Sequence, residues 1–133
     1  MGRLTNPWFA ILFGAFILCA ETCRHVDVIL ALPARWLSLP FDDWIAGLLL
    51  VSAGRLSRRD WRSGRELQAV AWAFMLSLLV SGFFNHLEDW NSPAQTTAIS
   101  EGVFLVILLA LVTAASCALV QTIKAGSSDK NLA

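Results

Sequence analysis

Residues 102–120 read GVFLVILLALVTAASCALV, nineteen positions without one charged side chain. A run of about 20 apolar residues is what a helix needs to cross the hydrocarbon of a bilayer. This stretch therefore decides the environment of the whole chain. In lipid every backbone N–H and C=O must be satisfied internally, so the segment reads as a helix.

The rest of the sequence agrees. The chain has 133 residues, 56% of them hydrophobic and 15% charged, with a mean hydropathy of +0.61. A soluble domain carries about 25% charged residues. One small core cannot hide this much apolar surface, so disorder and ordinary soluble globularity are both disfavoured. Ten basic and ten acidic residues cancel, which argues against a nucleic-acid partner.

Working outward, three more runs appear. Residues 8–32 begin with Asn6-Pro7, a cap followed by proline at the first helical position, and end before Pro33. The run continues past Ala20 with no small-x-small cleavage pattern, so it reads as a span rather than a signal peptide. Residues 44–54 are apolar but short. They span if residues 41–58 form one helix, with Asp42 and Asp43 in its first turn and Arg55 snorkelling at the far side. A surface helix is the alternative. Residues 67–84 follow Ser63-Gly64-Arg65-Glu66, a capping-box pattern. The expected helices are 7–32, 41–58, 64–89 and 93–125, within one domain over 1–126, and 127–133 form a polar tail. The expected fold is all-α, an integral membrane four-helix bundle.

Charge orients it. With four spans the N-terminus, the 55–66 loop and the C-terminus share one side. That side carries eight basic against three acidic residues, a net +5. The other carries two against seven, a net −5. The positive-inside rule puts both termini in the cytoplasm, of a bacterial inner membrane. Trp8 and Trp61 at one boundary, and Trp36, Trp44 and Trp90 at the other, form the aromatic belts. Trp72 lies deeper and reads as a packing residue. The arginines from Arg55 to Arg65 read as topology determinants and contacts for anionic lipid heads.

Lipid tails offer helices no hydrophobic reward for pairing, so small residues at helical spacing mark contact faces. Such rows occur at Ala10 and Gly14, at Ala46, Gly47, Ala53 and Gly54, at Ala69, Ala73, Ser77 and Ser81, and at Ala110, Ala114 and Ala118. Leucine and phenylalanine positions between them would meet lipid, a membrane protein partner or a second copy.

Both histidines and most carboxylates fall at the outer end. Glu21 and His25 stand one turn apart, on the side of Ala10 and Gly14. Asp43, Asn85, His86 and Glu88 join them from other helices. An ionisable group at this depth is a functional candidate. The simplest reading is an internal hydrogen-bond and ion-pair network that fixes helix register. The alternatives are a proton or solute path through Glu21, a metal site of carboxylates and histidines, and haem b held by His25 and His86. Cys19, Cys23 and Cys117 form no C-x-x-C pair; Cys19 and Cys117 lie in apolar runs and read as packed thiols, while Cys23 shares a helical face with Cys19 in a poor disulfide geometry. No nucleophile stands at a recognisable spacing from a base, so the reading leans away from an enzyme. A small non-enzymatic membrane subunit or accessory protein is the expected class, and a protein with a site at the outer end is the alternative.

Overall fold

A computed structural model describes residues 6–30, 41–88 and 101–130. They are helical throughout, apart from single residues at caps and breaks, and no strand occurs among them. The helices are α1 (Pro7–Arg24), α2 (Val26–Leu30), α3 (Phe41–Arg59), α4 (Trp61–Glu88) and α5 (Glu101–Lys130). Three helices, α1, α4 and α5, are long and apolar enough to cross a membrane.

Local chemistry explains most of the ends. Asn6 caps α1: its side-chain oxygen accepts from the Trp8 backbone N–H at 3.0 Å, and Pro7 opens the helix. The first helix was expected to continue to residue 32, but it stops at Arg24. His25 takes φ −107° and ψ 20°, outside helical values. The Glu21 carbonyl accepts both the His25 backbone N–H and its Nδ1, each at 3.1 Å. A carbonyl cannot donate, so Nδ1 carries the proton in that bond. The chain leaves the helical path at His25 before the short α2 begins. Residues 31–32 lie outside the described residues.

The start of α4 also differs from expectation. The cap is Asp60, not Ser63. The Asp60 carboxylate accepts the Arg62 backbone N–H at 3.1 Å and the Ser63 hydroxyl at 2.5 Å. A carboxylate at the end of the helix dipole satisfies orphan N–H groups better than a hydroxyl three residues on. α4 therefore starts at Trp61, and α3 and α4 form a tight hairpin around Asp60. Gly64 sits against the Ser57 backbone, where any side chain would collide. At the far end α5 runs through Gly126 to Lys130 instead of ending at 125. One glycine costs a helix only about 1 kcal/mol and does not stop one whose flanking turns are formed. The expected start of this helix at 93 lies outside the described residues.

The close helix pairs are α1 with α3, α3 with α4, and α4 with α5. α1 and α3 run antiparallel. A β-carbon on Gly54 would fall 2.6 Å from the Pro7 carbonyl, and one on Gly47 2.7 Å from Leu18 Cγ. Ascending residues of α1 thus meet descending residues of α3. Ala10, Gly14, Ala46, Gly47, Ala53 and Gly54 are all buried along this seam. Backbones approach this closely only where side chains are small.

α4 uses a different face from the one its small residues mark. Its buried residues include Gln68, Ala71, Trp72, Met75 and Leu79, whereas Ala73 and Ser77 are exposed. The contact face lies nearly opposite the Ala73–Ser77 row on the helix. The cause is Trp72, which is fully buried. Its indole stacks on Phe9 at 5.6 Å and meets Phe13 edge-on at 5.1 Å, filling the space between α1 and α4. On α5, Ala110 is exposed and Ala114 half-buried. The buried positions are Leu105, Leu108, Ala115, Ala118 and Thr122.

Candidate functional site

Position along the helices sorts the polar residues into two layers. One layer lies near the α3–α4 turn. Ser57, Arg65, Gln68 and Thr122 are all buried there. Arg65 Nη1 donates to the Ala125 carbonyl at 3.3 Å, tying α4 to α5. Ser57 and Thr122 turn their hydroxyls back onto the carbonyls of Ala53 and Ala118. Sequence reading missed this layer: it counted Arg65 among the exposed loop arginines, yet the side chain points into the bundle. The available signal was spacing, since Arg65, Gln68 and Trp72 share one helical face.

The other layer lines a cleft of about 310 Å³ at the opposite end. Glu21 and Arg24 of α1, Asp42 and Asp43 of α3, Asn85 and His86 of α4, and Phe104 of α5 all border it. Leu79, Leu108 and Leu111 form its apolar floor. Four of the six outer-end candidates, Glu21, Asp43, Asn85 and His86, therefore face one space. His25 stands behind Glu21, and Glu88 is exposed away from the cleft.

The contacts of Glu21 decide how this end is to be read. Arg24 Nη1 lies 3.8 Å from Oε1 and His25 Nδ1 lies 3.5 Å from Oε2, both on the same stretch of chain. Oε2 is buried and accepts no hydrogen bond. Among the described residues no hydrogen bond or ion pair joins Glu21 to another helix. A register network needs such cross-links, and here the carboxylate borders the cleft without them.

The aromatic side of the cleft is built from Phe104. The His86 ring packs edge-on against it at 4.5 Å, and the Arg24 guanidinium stands 5.6 Å from its centroid. Sequence reading did not single out Phe104 or Arg24 as site residues. Among the described residues no three His, Cys, Asp or Glu side chains gather closely enough to hold a metal ion. The three cysteines are free and exposed, not packed in the core.

No known protein family, characterised protein or solved structure matches the chain.

Proposed function

We propose a non-catalytic multi-pass protein of a bacterial inner membrane that binds a small cationic solute, or a proton, in the cleft around Glu21. The observation that carries this reading is the Glu21 carboxylate, lodged between four helices with no cross-helix partner. Two further carboxylates, Asp42 and Asp43, border the cleft against the single guanidinium of Arg24. Apolar walls with an excess of acid suit a cation with an apolar body.

Four crossings are part of the proposal. α3 is less apolar than its neighbours, but it lies antiparallel against α1 from Pro7 to Leu18. A helix in contact along that length shares its partner's depth, so α3 crosses if α1 does. The net +5 and −5 ends then put both termini in the cytoplasm.

Isothermal titration of the detergent-solubilised protein with benzyltrimethylammonium is the test. Wild type should bind, and Glu21→Gln, which keeps the side chain's shape, should fold and not bind. Equal binding by both proteins would end the reading.

A second reading, a subunit that pairs with another membrane protein or a second copy, is favoured by the outward Ala73–Ser77 row of α4. Small residues there would admit another helix. A monomer after gentle extraction, with no partner copurifying, would count against it.

A further inference from the structure

The outer face of α3 carries a second feature, at the opposite end from the cleft. Ser52, Arg55, Arg58 and Arg59 border a groove of about 720 Å³. Ser52, Arg55 and Arg59 fall at i, i+3 and i+7, one stripe along the helix. That stripe points away from the buried face of Leu50, Ala53 and Ser57. All three arginines are exposed, and none makes an ion pair or hydrogen bond among the described residues. Arg58 is instead held 4.4 Å over the ring of Trp8, which fixes it beside the start of α1. The nearby carboxylate, Asp60, is occupied by Ser63 and the Arg62 N–H.

Toward the middle of α3 the same stripe turns apolar. Ile45 and Leu48 are 50% and 56% exposed. Ile45 falls seven residues before Ser52, and Leu48 seven before Arg55, on the same side. Leu48 and Arg55 are separated by about 10 Å of helix rise. The face is therefore apolar over its inner part and triply cationic at its end, with an interfacial tryptophan beside it. A free phosphate would use the arginines alone. A phospholipid would use the whole stripe.

We propose that this face of α3 is a binding site for one anionic phospholipid. The phosphate and headgroup lie among Arg55, Arg58 and Arg59, and an acyl chain lies along Leu48 and Ile45. Arginine suits the role because its planar fork takes two phosphate oxygens at once. The site is distinct from the Glu21 cleft and does not depend on what that cleft binds.

Native mass spectrometry of the full chain in detergent tests this, with phosphatidylglycerol and phosphatidylcholine of equal chain length as probes. Wild type should retain one phosphatidylglycerol in preference to phosphatidylcholine. The double variant Arg55→Gln/Arg59→Gln should lose about 30-fold in that preference. Arg62→Gln removes an exposed charge of the same loop outside the groove and should stay near wild type. If Arg62→Gln weakens retention as much as Arg55→Gln does, the attraction is diffuse and the site is disproved. Soluble glycerol phosphate separates the sources. Competition at concentrations equal to the lipid would make this a phosphate site and overturn the acyl track. All the altered residues are exposed, so unchanged helical circular dichroism is expected in every variant.

Discussion

Gly14 and Gly47 meet backbone to backbone. A β-carbon on Gly14 would stand 2.6 Å from the Gly47 carbonyl oxygen, and one on Gly47 would stand 3.0 Å from that of Gly14. No rotamer change relieves a clash with backbone, so the two helices would have to part. Gly14→Ala should lower the thermal midpoint in detergent, at an overpacking cost of about 1–3 kcal/mol. Gly82→Ala is the matched control, since nothing lies within 4 Å of its added carbon. Equal shifts for both would remove the close approach of α1 and α3.

Trp72 and Ser77 separate two accounts of α4. Trp72 is fully buried between Phe9 and Phe13, so Trp72→Ala should cost about 3–5 kcal/mol. Ser77 is exposed, so Ser77→Leu should leave the monomer's melting unchanged. A large loss with Ser77→Leu in a monomeric sample would mean that α4 packs through its small residues after all.

Asp60 should make the α3–α4 hairpin sensitive to acid. The hydrogen bond from the Ser63 hydroxyl, with smaller help from the Ser63 and Arg62 N–H groups, holds its carboxyl below the usual carboxylate range. A carboxylate whose pKa falls on folding stabilises the fold above its unfolded value, about 3.9. That contribution disappears as pH drops through the lower folded value. Melting curves recorded from neutral pH downward should show this loss in wild type. Asp60→Asn, which can still accept the bonds but does not titrate here, should lack that component.

Topology can be read with reporter fusions. Fusions after residue 62 and at the C-terminus should both report cytoplasm, and one after residue 92 should report the outside. If α3 lies on the surface instead of crossing, only three crossings remain, and reporters at the N-terminus and the C-terminus will fall on opposite sides.

Much of the architecture was legible because lipid imposes simple rules. Nineteen uncharged residues ending at Val120 read as a helix there, and the Asn6-Pro7 start of α1 is a local signal with a local cause. The small residues of α1 and α3 pointed to their seam for the same reason: glycine is what lets two backbones touch. The rule misled on α4, because a single large side chain outweighed four small ones. Trp72 fills the space against Phe9 and Phe13 of α1 that no row of alanines could fill, and the face it lies on is nearly opposite the small-residue row. At the outer end, spacing alone put Glu21 and His25 on one face, and the residues around the cleft came from four helices that no periodicity links. Phe104 and Arg24 were invisible as partners because they meet only where the end of α1 reaches α5 across the cleft. Arg65 was read as a loop charge although the expected helix already contained it, because its charge was counted along the chain and not by helical face. Arg65, Gln68 and Trp72 share one face, and that face is the buried one.

The pairing of α1 with α3, α3 with α4 and α4 with α5 carries a consequence for biosynthesis. After α1, each long helix finds a neighbour among segments the ribosome has already delivered. Only Asp60 separates α3 from α4, so the entropy lost in closing that hairpin is small. Insertion and assembly can proceed together, from the N-terminus onward. A nascent chain halted after residue 88 would hold a three-helix intermediate whose open seam is the side of α4 that α5 comes to cover.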